Sequence, residues 1–118
     1  MLRGIRGATT ALSNTKAEIL MKTKELLLEM IQKNSLKKER IASVFFTLSD
    51  DLNAEFPAVA ARQLGWTEVP LLCAREINVP NSMRQCIRIL IHYNVEDDKQ
   101  KIKHVYLHDA KSLREDLD

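Results

Sequence analysis

The alternation of apolar and polar residues along the chain predicts five strands and two helices. The predicted strands span residues 2–10, 41–49, 69–77, 86–95 and 102–108. Polar, turn-forming stretches separate the last three of them. The two helical segments lie before and after the second strand. The residues from about 109 form a polar tail that we expect to be flexible, so the predicted order is β-α-β-α-β-β-β.

Both predicted helices carry recognisable end signals. Thr15 is predicted to be the N-cap of the first helix, because Glu18 three residues later completes the pattern of a capping box. Behind this cap, residues recur at helical spacing up to about Lys33, namely Leu20, Thr23, Leu27, Met30 and Ile31. The second helix is predicted over 54–65, with Pro57 in its first turn and Gly65 as its C-cap.

This order of elements predicts an α+β fold. Two crossovers followed by a meander give a mixed β-sheet with both helices on one face, which leaves the other face bare. By alternation, the bare face would carry Gly4, Arg6, Ala8, Cys86, Arg88, Leu90 and His92. A face that mixes small, apolar and isolated basic residues suits a subunit interface that encloses a cleft. We therefore expect an oligomer.

The composition is that of one ordinary globular domain, which we expect to span residues 1–118. Hydrophobic residues make up 45% of the chain and charged residues 29%. The 18 basic and 16 acidic residues are interspersed, so the basic block typical of nucleic-acid binding is missing. No apolar run predicts a signal peptide or a membrane span. We expect a cytoplasmic protein whose two cysteines are thiols.

Four polar residues interrupt apolar strands, namely Arg6, Glu76, Arg88 and Tyr106. Each has a structural explanation by itself: an arginine that reaches water, a core tyrosine, or a cross-strand ion pair between Glu76 and Arg88. Together, however, they place two arginines near one carboxylate. Such an excess of buried positive charge is costly unless an anion binds. Arginine is also well suited to bidentate binding of carboxylates.

Several kinds of catalytic site do not fit the sequence. With three glycines, the chain contains no glycine-rich phosphate loop. Its three histidines share no zinc-like spacing with the cysteines, so no metal site is expected. Cys73 has no evident histidine base, and Glu76 has no companion carboxylate. The remaining hypothesis is a site of fixed charges that either binds an anion or catalyses by electrostatics alone.

Five segments of the sequence carry a family resemblance. They are RGIRGATT at 3–10, FPAVAARQLGW at 56–66, VPLLCAREINVP at 69–80, CIRIL at 86–90 and HVYLHDAKSLREDL at 104–117. Together they resemble the monofunctional bacterial chorismate mutases of the AroH class, over essentially the whole chain. The resemblance implies a homotrimer with a pseudo-α/β-barrel at its centre and active sites between subunits. The implied reaction is the Claisen rearrangement of chorismate to prephenate, in phenylalanine and tyrosine biosynthesis, without metal or cofactor.

The resemblance also implies a role for each matching residue. Arg88 would stand by the ether oxygen, where negative charge grows as the C–O bond breaks. Glu76 and Cys73 would hold the substrate hydroxyl and the ring, while Arg6 and Tyr106 would bind a carboxylate. The other implied substrate contacts are Leu72, then Phe56, Ala58 and Arg62 from a neighbouring subunit, and Leu113 and Arg114 on a closing tail.

Three positions depart from the family pattern. Val59 lies where some members carry lysine, Asn81 where glycine is frequent, and Glu115 where proline is common. Strict alternation also places Cys73 and Glu76 on opposite faces of their strand. Either the strand bulges or ends between them, or one of the two assignments is wrong.

Other functions remain open from the residues alone. The main alternative is a trimeric protein that binds a small dicarboxylate without turnover. A related mutase acting on another metabolite is a second alternative. A scaffolding protein fits less well, since it has no need for arginines on an inner sheet face.

Overall fold

A computed structural model describes residues 1–114, with the side chains of residues 1–113. The elements are β1 (Leu2–Thr10), α1 (Lys16–Asn34), β2 (Ile41–Leu48), α2 (Ala58–Gln63), β3 (Leu71–Arg75), β4 (Cys86–Asn94) and β5 (Val105–Tyr106). Short 3₁₀ helices span Lys38–Arg40 and His108–Arg114, and we call the latter the terminal 3₁₀ segment. The predicted order β-α-β-α-β-β-β is confirmed.

The five strands form one mixed sheet in the order β3-β2-β4-β1-β5. Strand β4 lies at the centre of the sheet and pairs antiparallel with both β1 and β2. The edge strands β3 and β5 pair parallel with β2 and β1, respectively. The mixed sheet is therefore as predicted, but the predicted meander of the last three strands is wrong. The nine-residue, isoleucine-rich β4 takes the central place between β1 and β2, where both of its edges are paired.

The predicted assignment of faces on β4 is confirmed. Ile87, Ile89 and Ile91 are 0–2% exposed on the face that α1 covers. Arg88 alternates with them and lies on the opposite face, which we call the open face. In the sheet register, Arg88 stands between Ala8 of β1 and Thr47 of β2. The open face is therefore defined by the even-numbered residues of β1 and β4.

Helix α1 begins at the predicted cap. The Thr15 hydroxyl accepts the backbone N–H of Glu18 at 3.2 Å. The Glu18 carboxylate does not complete the capping box, because it accepts the backbone N–H of Leu12 at 2.8 Å instead. The buried stripe of the helix also differs from the predicted one, since Ile19 and Leu26 are fully buried and Leu20 is only partly so.

Helix α2 and strand β3 are shorter than the sequence predicts. Helix α2 begins after Pro57, because the residue before a proline is disfavoured in helical conformation. Its C-cap is Leu64, and Gly65 follows with φ 95°, in the left-handed region where glycine is favoured. Strand β3 begins after Pro70 and ends at Arg75.

The last predicted strand is reduced to the two residues of β5. On its N-terminal side, the Asn34 side chain bonds the backbone N–H and the carbonyl of Lys103 at 2.8 and 2.9 Å, in place of a strand partner. On its C-terminal side, His108 has φ 51° and begins the terminal 3₁₀ segment. The prediction of a strand over 102–108 was therefore too long at both ends.

The terminal 3₁₀ segment covers one end of the open face. The backbone N–H of Asp109 donates to the Thr10 hydroxyl at 3.3 Å, and Ala110 is fully buried. Ala8 and Thr10 are buried as a result, at 2% and 7% exposure. The face predicted to be bare is therefore partly closed at the end of β1. Within residues 1–114, no helix is long and apolar enough to cross a membrane.

Helix α1 packs closely against β1 at Gly7. A Cβ atom added at Gly7 would overlap the Met30 sulphur and lie 3.2 Å from Leu26 Cδ1. Both of these side chains are fully buried, so neither can move aside freely. We expect Gly7→Ala to lower the free energy of unfolding by about 1–3 kcal/mol, the usual cost of overpacking a core. Denaturant unfolding at fixed protein concentration measures this.

Gly4→Ala is the matched control, because it lies on the same strand. A Cβ atom there would meet only Leu90 Cδ1, at an ordinary 3.5 Å. Equal stabilities for the two variants would contradict the argument from the α1–β1 packing.

Candidate active site

A cavity of about 400 Å³ lies on the open face, and we call it the arginine cleft. Its lining comes from β1, β2, β4, β5, the chain just after β3 and the terminal 3₁₀ segment. The lining residues are Arg6, Gly7, Ala8, Phe45, Thr47, Glu76, Arg88, Ile89, Leu90, Tyr106 and Leu113. The sheet thus brings together the four polar residues that interrupt the strands in the sequence. The volume of the arginine cleft falls within the range of small-molecule sites.

Arg88 lies at the centre of this cleft, where strand pairing on both sides fixes its backbone. Its side chain is 42% exposed, and its Nε lies 3.6 Å from Glu76 Oε2. The Nε–H is buried and has no hydrogen-bond partner among the described residues. The distance is long for a hydrogen bond, so Glu76 only partly compensates the guanidinium. The cleft therefore retains positive charge.

Glu76 reaches the cleft because β3 ends one residue before it. Its backbone N–H donates to the Leu48 carbonyl at 3.0 Å, and its carboxylate accepts the Thr47 hydroxyl at 2.7 Å. The strand does end between Cys73 and Glu76, as one alternative from the sequence required. The two side chains nevertheless stay on opposite sides of the sheet, because Cys73 is paired with buried Phe46 and packs on the core.

Arg6 and Tyr106 approach the cleft from the edge of the sheet. Tyr106 stands opposite Ala8, two residues along β1 from Arg6. The backbone N–H of Arg6 donates to Nδ1 of His104 at 3.0 Å, so this histidine extends the β1–β5 edge beyond the two paired residues of β5. Two arginines and a phenol hydroxyl therefore face one carboxylate, as the sequence predicted.

A second group of predicted site residues lies on the helix side of the sheet. A cavity of about 350 Å³, the Cys73 cavity, is lined by Cys73, Phe56 and Pro57 among others. Ala58 is 3% exposed at the start of α2, while Phe56 is 67% exposed. Within one chain, this group is separated from Arg88 by the sheet itself.

The two cysteine thiols are neutral groups. Burial raises the pKa of Cys73, and the backbone N–H of Ala58 and the charge of Arg62 lower it by less. Burial likewise raises the pKa of Cys86, which is 2% exposed on the open face beside Arg88. A thiol held protonated is a poor nucleophile. Cys73 is therefore suited to contact a ligand and not to attack it.

Arg75 holds the loop that carries Phe56. Its guanidinium donates to the carbonyls of Ser49 and Leu52, at 2.6 and 3.1 Å. The loop is thereby tied to the end of β3, the same strand end from which Glu76 enters the arginine cleft. Arg75 links the two groups of site residues, and nothing in the sequence distinguished it from a surface arginine.

The remaining predicted residues lie at several places. Leu72 is 56% exposed on the open face beside Phe45, whereas the side chain of Cys73 lies on the opposite face of the sheet. Leu113 lines the arginine cleft, and the backbone of Arg114 ends the terminal 3₁₀ segment. Glu115 lies outside the described residues.

Two of the departures from the family pattern can be located. Asn81 has φ 66°, a conformation that asparagine tolerates better than most residues, which explains how it occupies a position where glycine is frequent. Val59 is partly buried in α2.

Sequence reasoning placed Leu90 on the cleft face but did not identify Thr47 or Phe45 as cleft residues. Alternation in β2 places Phe45 and Thr47 on one face, but only the pairing of β2 with β4 shows that this face meets Arg88. The predicted meander placed β3 and not β2 beside β4, so the sequence did not predict that Phe45 and Thr47 lie next to Arg88.

The cleft has fixed positive charge, one carboxylate and hydroxyl donors. Among residues 1–114, no group of three or more histidine, cysteine or acidic side chains is arranged to hold a metal ion. Fold and site together define an α+β protein with a cationic cleft suited to a small anion.

Comparison with known proteins narrows this class to one family. The family model of chorismate mutase type I matches residues 2–117. The chain is 46% identical over its full length to chorismate mutase AroH of Thermus thermophilus, covering 98% of that protein. It is 42% identical to chorismate mutase AroH of Bacillus subtilis, with 99% of this chain and 93% of that protein aligned.

A solved structure agrees with these relatives. A chorismate mutase from Clostridium thermocellum superposes with a TM-score of 0.90 at 51% identity, covering 93% of this chain and 98% of that chain. The chain belongs to the type I chorismate mutase family.

Proposed function

We propose that this protein catalyses the rearrangement of chorismate to prephenate. The observation that carries the proposal is the arginine cleft, in which Arg6 and Arg88 face only Glu76 among the charged lining residues of the described chain. Chorismate is a dicarboxylate, so it supplies the negative charge that this cleft lacks. Family membership is consistent with the same activity.

The reaction makes few chemical demands on the protein. One ether C–O bond breaks while one C–C bond forms within the same molecule, through a cyclic transition state and without proton transfer. No nucleophile or base is required, which fits the neutral thiol of Cys73. Catalysis then consists of holding the compact, reactive conformer and placing a fixed cation where negative charge develops.

In this mechanism, Arg88 stabilises the ether oxygen as the C–O bond breaks. Its half-exposed guanidinium supports this role, and so does an Nε–H that has no hydrogen-bond partner among residues 1–113. Glu76 accepts a hydrogen bond from the substrate hydroxyl. Arg6 and Tyr106, at the sheet edge, bind a carboxylate.

The second group of residues completes the site from a neighbouring subunit. Phe56 and Arg62 are exposed, and Cys73 lies beside them, so all three are available to another copy of the chain. The open face carries Phe45 and Leu72, exposed apolar side chains that an interface would cover. A cytoplasmic homotrimer with a pseudo-α/β-barrel core would bring the neighbour's Phe56 group to each arginine cleft. Leu113 and Arg114 would lie over the bound substrate.

The purified protein is expected to convert chorismate to prephenate in the presence of a metal chelator and without added cofactor. Loss of the chorismate ultraviolet absorbance measures the rate, and acid conversion to phenylpyruvate identifies the product. A rate equal to the spontaneous reaction would contradict the proposal and favour a protein that only binds the dicarboxylate.

A further inference from the structure

Thr47 shares one carboxylate oxygen with Arg88. Its hydroxyl donates to Glu76 Oε2 at 2.7 Å, whereas Arg88 Nε lies 3.6 Å from the same oxygen. Thr47 and Arg88 are direct neighbours in the pairing of β2 with β4. The strong contact of this carboxylate is therefore with the hydroxyl and not with the guanidinium, whose Nε–H has no hydrogen-bond partner among the described residues.

An unrestrained carboxylate beside a guanidinium would be expected to close on it. Charge-assisted N–H···O bonds reach about 2.7–2.9 Å, clearly shorter than the separation here. The backbone N–H of Glu76 is bound to the Leu48 carbonyl, so the remaining freedom of Glu76 lies in its side-chain torsions. Thr47 is a stiff, β-branched residue on a strand paired on both sides, and its hydroxyl is well placed to fix those torsions.

We propose that Thr47 is a positioning residue that holds Glu76 away from Arg88 and so keeps the Arg88 charge available for the transition state. This inference rests on the proposed function, because its consequence appears in turnover. A carboxylate in direct contact would neutralise much of the guanidinium field at the ether oxygen. The loss would affect the transition state, where charge develops, more than the bound substrate.

Two substitutions separate the hydroxyl from the rest of the side chain. Thr47→Val removes the hydroxyl and keeps the shape, and we expect kcat to fall by about 10- to 100-fold, the range for losing a hydrogen bond to a charged group. KM should change much less. Thr47→Ser keeps the hydroxyl and should retain most of kcat. Ser43→Ala is the control. Ser43 lies on the same strand as Thr47, and its hydroxyl makes a similar contact with His92 of β4, at 3.0 Å.

A double-mutant cycle shows whether Thr47 acts through Glu76. In a Glu76→Gln background, Thr47→Val should have little further effect on kcat, because the carboxylate it restrains is gone. Multiplicative losses would overturn the proposal. It would also be overturned if Thr47→Val kept wild-type kcat, or if Thr47→Ser were equally impaired.

A crystal structure of Thr47→Val provides a readout that does not depend on turnover. We expect the Glu76–Arg88 separation to shorten to hydrogen-bond distance, and an unchanged separation would overturn the inference. If the wild-type protein had no mutase activity, the proposed function would fail, while this distance would still decide the role of Thr47.

Discussion

Replacing Arg88 by alanine is expected to lower kcat by about 10²–10³-fold or more, while the fold is kept. Loss of one preorganised donor to a developing negative charge costs about this much, and here a full charge is lost as well. The variant also leaves Glu76 without its cationic neighbour in a cleft that must accept a dicarboxylate. KM should therefore rise too. Steady-state kinetics with chorismate measure both effects, and circular dichroism checks the fold.

Arg84→Ala is a matched control for the loss of an arginine. Arg84 precedes β4, its side chain is 75% exposed, and it lies 3.6 Å from Asp51 outside the arginine cleft. We expect this variant to keep wild-type kcat. Retention of most of kcat in Arg88→Ala would refute the role of Arg88 at the ether oxygen, even if the protein is a chorismate mutase.

Arg88→Lys tests geometry apart from charge. Lysine keeps a positive charge but replaces the planar guanidinium by a point charge on a flexible stem. We expect activity between that of the alanine variant and the wild type, measured in the same assay.

The long, strongly patterned elements were predictable from sequence, because their periodicity reflects burial. Strands β1 and β4 match their predicted bounds within a residue, and the Ile87–Ile89–Ile91 face is correct. The edge strands were overestimated. Their ends depend on contacts distant in sequence, such as the Asn34 side chain that occupies the backbone of Lys103. No local pattern encodes such contacts.

The candidate site was predictable only in part, for a related reason. Arg6, Glu76, Arg88 and Tyr106 each break an apolar pattern, and the structure does bring them together. Thr47 breaks no pattern, since threonine is common in strands. Alternation already placed Cys73 and Glu76 on opposite faces, but only the structure shows that this separation persists although the strand ends at Arg75, because Cys73 packs on the core. The separation of Cys73 from Glu76 supports the proposal that each active site is shared between two subunits.

The proposed division of each active site between two subunits leads to a prediction about mixed oligomers. If each active site combines the arginine cleft of one subunit with the Phe56–Arg62 group of its neighbour, an Arg88→Ala subunit still contributes an intact neighbour half. An Arg62→Ala subunit likewise contributes an intact arginine cleft. In a trimer assembled at random from equal amounts, about a quarter of the sites then combine two intact halves.

Co-expression of Arg88→Ala and Arg62→Ala chains is therefore expected to restore about a quarter of wild-type activity, well above either variant alone. Co-expression of Arg88→Ala with Glu76→Ala is the control, because both changes affect the same cleft, so no assembly contains an intact one. Sedimentation of the wild-type protein should show a trimer. If the first mixture gave only the mean of its two parents, or if the protein sedimented as a monomer, the shared site would be wrong. Arg88 would then have to act with residues of its own chain alone.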